Sequence, residues 1–379
     1  MFDCHYDLLT YILMKKNEVE LIKEHCRKVY RKDNITGGIF NLFYMSPAEM
    51  RAELGIEEDQ INLIENLKEV KQFIESNQLI SSDIKYIFGI EGLDYLKNIE
   101  DLDILYSLGL RSTNPVWSNE NKFGGGVKSD RNIGLTKLGK RLIEKLVQKG
   151  IAIDLSHANE TTFWDIIYLC KKLKKRGENP IVFASHSNSK AICNVPRNLT
   201  DEQILAIKEL EGVVGVVSIK KFCIDTEEIC DTKIDFEQKY IDHINYIRDL
   251  LGGVDNISVA TDDMRYYYIE PEYYQNLNVY MQYEVKEKLE KALINNDYSK
   301  KEIEQILFRN FEEKILKRLD KKTFRKSTHK SINYDIIIEH KEDVYEKENK
   351  NYFNSINHNN SFSNSNCSYN ICFKLATDK

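Results

Sequence analysis

Ile151-Ala-Ile-Asp-Leu-Ser-His157 is an apolar run that ends in Ser-His, and Ile181-Val-Phe-Ala-Ser-His186 repeats this pattern about one helix length later. Helical patterns with start and stop signals precede the two runs, over about residues 136–150 and 161–175. A strand, a helix and a second buried strand form a βαβ unit and therefore a parallel sheet. We expect His157 and His186 to lie side by side at its carboxyl edge.

Four more apolar runs have strand character, over residues 1–7, 85–91, 213–219 and 256–262. A helix that Thr200 caps precedes the third of them. This repetition predicts an α/β fold, a (β/α)8 TIM-type barrel, which builds its active site from the carboxyl ends of its strands. Side chains that bind divalent metals fall at these predicted ends: His5, Asp7, Glu91, His157 and His186, with Asp262 as a sixth candidate.

Each of these signals is weak by itself. A lone histidine at a strand end is more often a hydrogen-bonded structural residue than a ligand, and His-x-Asp occurs without metals. Their joint occurrence on separate strands of one parallel sheet is what favours a metal site. The other histidines lie in charged helical stretches or in a polar tail, where solvated surface explains them: His25, His243, His329, His340 and His358.

With these residues in place, the chain resembles the membrane dipeptidase (renal dipeptidase) family of zinc metallopeptidases, within the amidohydrolase superfamily. The resemblance covers about residues 1–318, and its segments follow the family's order. The matching segments are Asp3-Cys-His-Tyr-Asp7, Gly89-Ile-Glu-Gly92, Leu108-Gly-Leu-Arg111, Trp117-Ser-Asn-Glu-Asn121, Gly124-Gly-Gly126, Asp154-Leu-Ser-His157, Ser185-His-Ser187 and Pro196-Arg-Asn198.

The resemblance implies a binuclear zinc dipeptidase that cleaves dipeptides with a metal-bridging hydroxide. Zinc accepts imidazole nitrogen and carboxylate oxygen, and water bound to it is acidified toward a pKa of about 7. Carried over by position, the family pattern assigns His5 and Asp7 to one zinc ion, His157 and His186 to the other, and Glu91 to both.

Further roles follow from the same resemblance. Asp262 matches the family's acid/base carboxylate and joins Glu91 as a catalytic residue, although by itself it reads equally as a helix cap. Arg197 matches the group that binds the substrate's free carboxylate, a task that suits a guanidinium fork. Trp117 stands where some members carry a histidine near the reacting carbonyl, and Asn198 completes the substrate-binding set.

Two departures from the family pattern stand out. Phe-Asp-Gly usually follows the acid/base carboxylate, whereas this chain continues with Asp263-Met264-Arg265, which predicts a remodelled loop over the substrate. A family Gly-Asn pair reads Arg309-Asn310 here, a change that a helix position tolerates.

Composition predicts one catalytic barrel over residues 1–320 and a polar, low-complexity tail over residues 321–379. The tail is expected to be disordered because it cannot bury enough apolar surface, apart from an edge strand at residues 335–339. Just before it, Ser299 and Glu302 predict a capping box, and the helix that follows has an apolar face. That face consists of Ile303, Ile306, Leu307 and Ile315.

Charge and cysteine usage set the expected partners and compartment. A net charge of −6 with both signs mixed gives no basic surface for nucleic acid. The eight cysteines form no C-x-x-C pair, which indicates reduced thiols in a cytoplasmic protein, and Cys4 is interpreted as a packing residue. No secretory signal precedes Asp3 and no apolar stretch could span a bilayer or serve as a lipid-anchor signal, so a soluble protein is expected. The expected partner is a small dipeptide, and a homodimer is left open.

Three functional hypotheses follow. The first is the zinc dipeptidase, and the second is another amidohydrolase reaction on the same barrel, such as hydrolysis of a cyclic amide or a deamination. Arg197 argues against the second, because those substrates need not carry a carboxylate. The third is a non-catalytic barrel, which the intact set of five ligands disfavours.

Overall fold

The computed structural model describes residues 1–44, 61–225, 233–263, 277–280 and 284–319. The chain divides into two compact units, Met1–Phe324 and Arg325–Lys379, and the described residues all belong to the first. The predicted tail, its edge strand and the loop at residues 264–276 lie outside the described residues.

The described residues contain eight strands, and the predicted alternation of strand and helix runs through them. The strands are β1 (Phe2–Tyr6), β2 (Gly37–Phe43), β3 (Lys85–Glu91), β4 (Leu110–Thr113), β5 (Ala152–Asp154), β6 (Val182–Phe183), β7 (Val214–Val217) and β8 (Ile257–Ala260).

Helices follow the strands along the chain and pack outside them. The α-helices are α1 (Leu8–Lys15), α2 (Val19–Lys32), α3 (Leu63–Asn77), α4 (Leu102–Leu108), α5 (Lys137–Lys149), α6 (Glu160–Lys175), α7 (Asp201–Glu209), α8 (Lys220–Cys223), α9 (Phe236–Leu251), α10 (Val285–Asn295) and α11 (Lys300–Glu304). A 3₁₀ turn (Ile99–Asp101) precedes α4, and two π-helical turns (Gln305–Arg309 and Glu312–Leu316) continue α11.

The sheet closes on itself. Strands β1 to β6 pair in sequence order and β7 pairs with β8, and every pairing is parallel. Parallel bridges join the two parts at both seams, between Ala184 and Val214 and between Tyr6 and Asp263. At the second seam, the backbone N–H of Asp262 donates to the carbonyl of His5 at 3.1 Å. The predicted TIM-type barrel is therefore confirmed.

The helix ends use the capping groups that the sequence predicts. The Thr136 hydroxyl accepts the Gly139 N–H at 2.9 Å, and Gly150 ends α5 with a φ of 69°, a conformation that glycine adopts without strain. Thr200 and Ser299 each form a capping box, at the starts of α7 and α11. These caps fix the residues at which the helices begin, and so the lengths of the loops that precede them.

Aromatic side chains close the amino end of the barrel. Phe311, between the two π-helical turns, stacks on Phe2 of β1 at 5.3 Å and meets Phe183 of β6 at 5.9 Å. Because β1 and β6 lie at opposite ends of one six-stranded run, a ring that touches both lies across the barrel. The predicted apolar face of this helical segment, including Ile303 and Ile315, is buried.

Of the predictions about single residues outside the site, those for His25 and His243 are wrong and that for Cys4 is confirmed. His25 and His243 are buried rather than solvated, at 2% and 0% exposure, because the helices that carry them turn these faces toward the core. Cys4 is fully buried with its thiol 3.1 Å from the Ser258 hydroxyl, which confirms the packing interpretation.

Within the described ranges five cysteines are present as free thiols: Cys4, Cys26, Cys170, Cys193 and Cys223. None of the helices in those ranges is both long enough and apolar enough to cross a membrane.

Candidate metal centre

The six predicted metal-binding side chains converge at the carboxyl edge of the barrel. His5 lies on β1, Glu91 is the last residue of β3, and the other members come one to three residues after the ends of β1, β5, β6 and β8. They form three overlapping groups in which the candidate ligand atoms lie within 4.8 Å of one another. The groups are His5, Asp7 and Glu91; Glu91, His157 and His186; and His5, His186 and Asp262.

Glu91 occupies the middle of this cluster and divides its two oxygens between two sets of imidazoles. Oε1 lies 2.8 Å from His157 Nε2 and 3.3 Å from His186 Nε2. Oε2 lies 3.3 Å from His5 Nε2. The Nε2 atoms of His157 and His186 are 2.9 Å apart. This geometry is what a carboxylate needs in order to bridge two cations.

Asp7 and His5 carry buried polar atoms that the protein leaves unsatisfied. Both carboxylate oxygens of Asp7 and Nε2 of His5 have no hydrogen-bond partner among the described residues. The nearest approach between them is 3.5 Å, and Asp262 Oδ1 lies 3.9 Å from the same His5 nitrogen. Because unsatisfied buried polar atoms are costly and rare, this pattern fits residues that a divalent metal would satisfy.

The charges of His157, His186 and Glu91 also suit a cation. Burial lowers the pKa of His157 to about 4 and that of His186 well below its usual value, so both rings are neutral and can offer a lone pair. Burial alone would raise the pKa of Glu91, but His5 and His157 lower it well below its usual value. Burial raises the pKa of Asp262 to about 7.

The backbone is strained where two of these side chains are held. His157 and Asp262 adopt φ values of 71° and 48°, in the left-handed region that residues other than glycine rarely occupy. After Glu91 the chain turns at Gly92, whose φ is 78°. A Cβ atom there would lie 3.1 Å from the Cβ of Trp117, so glycine lets Trp117 approach the site.

Four residues that the sequence did not single out surround the imidazoles. The Nδ1 atom of His5 lies 3.2 Å from Ser185 Oγ and 3.0 Å from Asn41 Nδ2. Ser185 also lies 2.6 Å from His186 Nδ1 and donates to Asp154, whereas Ser118 Oγ is 3.5 Å from His157 Nδ1. One signal was available, because Asp154 and Asn41 are polar residues inside otherwise apolar strands and must find partners when buried.

Arg197 reaches the edge of the cluster from the loop after β6. Its guanidinium donates to the His186 carbonyl at 3.2 Å and to Ser187 Oγ at 3.4 Å, and it lies 5.3 Å from the centre of the Phe222 ring. Asn198 is buried, and its amide donates to the carbonyls of Cys193 and Phe222, each at 2.9 Å. Asn198 thus ties together the loop that presents Arg197.

Trp117 forms one wall beside the imidazoles. Its ring packs 5.1 Å from Phe43 and 5.8 Å from His157, and the side chain is half-buried. Lys128 places its ammonium group 5.7 Å from the same ring. The imidazoles therefore have an aromatic ring on this side, and a cation, Arg197, beside His186.

Imidazoles and carboxylates gather at the carboxyl edge of a closed parallel barrel. This arrangement is typical of the class of barrel proteins that bind metal ions at that edge. The sequence profile of one family, described as membrane dipeptidase (peptidase family M19), matches residues 1–328. The chain therefore belongs to this family, as the sequence resemblance predicted.

The chain matches its sequence relatives over only part of their length. A protein from Acinetobacter calcoaceticus, described as an uncharacterized protein in the PQQ-III 3′ region, is 37% identical over 171 residues, which are 43% of this chain and 51% of that protein. The matched region spans about half the length of such curated relatives.

Two solved structures share the fold. One is described as a dipeptidase and metallopeptidase of family M19, with a TM-score of 0.63 and 22% identity over 84% of this chain and 98% of that one. Another, a metallopeptidase from Rhodobacter sphaeroides bound to a phosphinate mimic of the dipeptide L-Ala-D-Ala, has a TM-score of 0.61 and 22% identity over 84% of this chain and 99% of that one. At this identity the likeness establishes the barrel fold.

Proposed function

We propose that this chain is a metallo-dipeptidase that uses two zinc ions to hydrolyse the peptide bond of dipeptides with a free C-terminal carboxylate. The observation that carries the proposal is the position of Glu91, with one oxygen facing His157 and His186 and the other facing His5. Membership of the dipeptidase family supports the reaction class.

Each side chain has a defined task in this proposal. His5 and Asp7 would hold one ion, His157 and His186 would hold the other, and Glu91 would bind both and reduce their mutual repulsion. When bound, the two ions would polarise the scissile carbonyl and acidify a shared water toward a pKa of about 7.

Asp262 is the proposed acid/base residue. Its carboxylate follows β8 and lies beside His5, so Oδ1 can take a proton from the attacking water and pass it to the leaving amine. The remaining carboxylates of the cluster, Asp7 and Glu91, are assigned to metal binding. This leaves Asp262 as the carboxylate for proton transfer.

Arg197 is the proposed binding group for the substrate's terminal carboxylate. Its guanidinium donates to the His186 carbonyl at 3.2 Å, which places a cation beside a proposed metal-binding residue. Trp117 would contact the substrate as an apolar wall, and Asn198 would act by holding the loop that carries Arg197. This cation favours dipeptides over uncharged cyclic amides.

The test combines metal analysis with a substrate panel. Protein purified without added metal should contain close to two zinc ions per chain, and it should cleave free dipeptides much faster than the matching dipeptide amides. Two metals with activity only on cyclic amides or amino-substituted rings would favour a different amidohydrolase reaction. Two metals with no hydrolysis of any of these substrates would favour a binding protein.

A further inference from the structure

The Ser185 hydroxyl lies between the two sets of metal-binding residues. Ser185 immediately precedes His186 and is completely buried. Its Oγ atom lies 2.6 Å from His186 Nδ1 and 3.2 Å from His5 Nδ1, and it donates to Asp154 Oδ2. One oxygen atom therefore contacts an imidazole from each of the two proposed ion positions.

Hydrogen-bond capacity fixes the direction of these contacts. A serine hydroxyl has one hydrogen to donate and two lone pairs, and an ionised carboxylate only accepts. Asp154 is held in place because its Oδ1 accepts the backbone N–H groups of Ser185 at 2.9 Å and Ser156 at 3.0 Å. The Ser185 hydrogen is directed to Asp154, so both lone pairs remain for the N–H groups of the two imidazoles.

This arrangement determines which ring nitrogens are free. If Nδ1 of His5 and of His186 carries the hydrogen, Nε2 of each ring keeps its lone pair, and both Nε2 atoms point at Glu91 at 3.3 Å. Asn41 also lies 3.0 Å from His5 Nδ1, but a half-turn of its amide exchanges donor and acceptor. Asn41 can therefore pair with either tautomer of His5 and does not select one of them.

We propose that Ser185 is a positioning residue that sets the metal-binding tautomer of His5 and His186 together, and so couples the affinities of the two ion positions. The inference rests on the proposed binuclear site. It assigns Asp154 the task of orienting the Ser185 hydroxyl, which explains why a carboxylate lies buried within β5 without contacting any of the candidate ligands directly.

The chain offers a matched control at the other seam of the barrel. The Thr261 hydroxyl donates to Asp3 Oδ2, and Asp3 Oδ1 accepts the N–H groups of Thr261 at 3.0 Å and His5 at 3.1 Å. This repeats the arrangement of Ser185 with Asp154. In the described part of the chain, however, no hydrogen bond joins the Thr261 hydroxyl to an imidazole, so Thr261→Val removes the same kind of bond without removing a hydrogen bond to an imidazole.

The experiment compares zinc affinity in Ser185→Ala, Thr261→Val and the native protein by competition with a fluorescent chelator. Each ion position is measured separately in a background that disables the other one. Asp7→Ala leaves the position of His157 and His186 to be measured, and His157→Ala leaves the position of His5 and Asp7. We expect Ser185→Ala to weaken both ions by roughly 10- to 100-fold. Thr261→Val should lower the melting temperature of the metal-free protein but change both affinities by less than about threefold.

A second variant guards against misfolding. Ser185→Cys keeps the side-chain shape and places a weak acceptor at the Nδ1 atoms of both rings, away from the Nε2 atoms that face Glu91, so it should show the same double loss. Loss at one ion only, or losses no greater than those of Thr261→Val, would overturn the inference. Failure of the proposed function looks different, because the native protein would then bind fewer than two zinc ions.

Discussion

Glu91 is the residue on which the proposed centre depends most. Two cations a few ångströms apart repel strongly unless an anion lies between them. We expect Glu91→Ala to abolish dipeptide hydrolysis and to lower bound zinc well below two ions per chain, as measured by metal analysis after dialysis. Asp101→Asn is the matched control, because it changes a buried carboxylate that accepts the Asn98 N–H and belongs to none of the candidate metal groups. Two bound zinc ions and full activity in Glu91→Ala would refute the bridging role.

Arg197 separates the dipeptidase from other reactions of the same barrel. If its guanidinium binds the terminal carboxylate, Arg197→Met should reduce kcat/KM on free dipeptides while both metals stay bound. The reduction should correspond to a loss of roughly 2 to 4 kcal/mol of transition-state stabilisation. Dipeptide amides should be poor substrates of the native protein and lose little more in the variant. Damage to the fold would affect both substrate types equally. Equal cleavage of dipeptides and their amides by the native protein would disprove the role.

Residue chemistry explains why the sequence singled out the candidate ligands but not the polar residues that hydrogen-bond to them. His5, His157 and His186 could be recognised because few histidines are available and each lies at the end of an apolar run. Ser185 and Asp154 are ordinary polar residues whose importance depends on one bond across neighbouring strands. That bond depends on strand register, which a single sequence does not reveal.

At the level of elements, His243 joins α9 to the loop after β6 and to the end of α8. Its Nδ1 accepts the Ser189 N–H at 3.2 Å and its Nε2 faces the Cys223 carbonyl at 3.0 Å, so the ring must be neutral. Burial lowers its pKa to about 4, below the usual 6.5. A lowered pKa gives stability that is complete above pH 6.5 and is lost as the pH falls toward 4.

This predicts an acid-sensitive contribution to folding. When the pH is lowered from 7.5 to 5, His243 should decrease the free energy of unfolding of the native protein by about 2 kcal/mol. His243→Asn keeps a hydrogen-bonding side chain that does not titrate, so its loss over the same range should be smaller by that amount. Urea unfolding at the two pH values measures the difference, and the pH dependence of the metal centre cancels because both proteins share it. Identical losses would contradict the assignment.

Two strands, β2 and β4, were not predicted from the sequence, and their residues explain why. β2 begins with Gly37-Gly38, which reads as a break, yet a Cβ atom on Gly37 would lie 2.0 Å from the Lys85 carbonyl oxygen. Glycine is needed there for close strand approach. β4 has four residues and includes Arg111, Ser112 and Thr113, so it lacks an apolar run although all four are buried.

For the whole molecule, the unit Met1–Phe324 contains every candidate site residue. Because residues 325–379 have a polar, low-complexity composition, we expect their deletion to leave dipeptidase activity per chain within about twofold. Steady-state kinetics and the melting temperature of the shortened protein are the measurements. Loss of active protein on truncation would show that this segment contributes to the barrel's stability.

The seam between β8 and β1 has a consequence for biosynthesis. Asp3 and Thr261, which are hydrogen-bonded across it, are separated by 258 positions in the chain. At a translation rate of roughly 5 to 20 residues per second, one edge of β1 waits about 10 to 50 seconds on the ribosome for its partner strand. For that whole interval His5 lacks Asp262, its neighbour across this seam. We therefore expect the barrel edge that carries His5 to stay open until β8 is made, so that the proposed metal centre is enclosed late in synthesis.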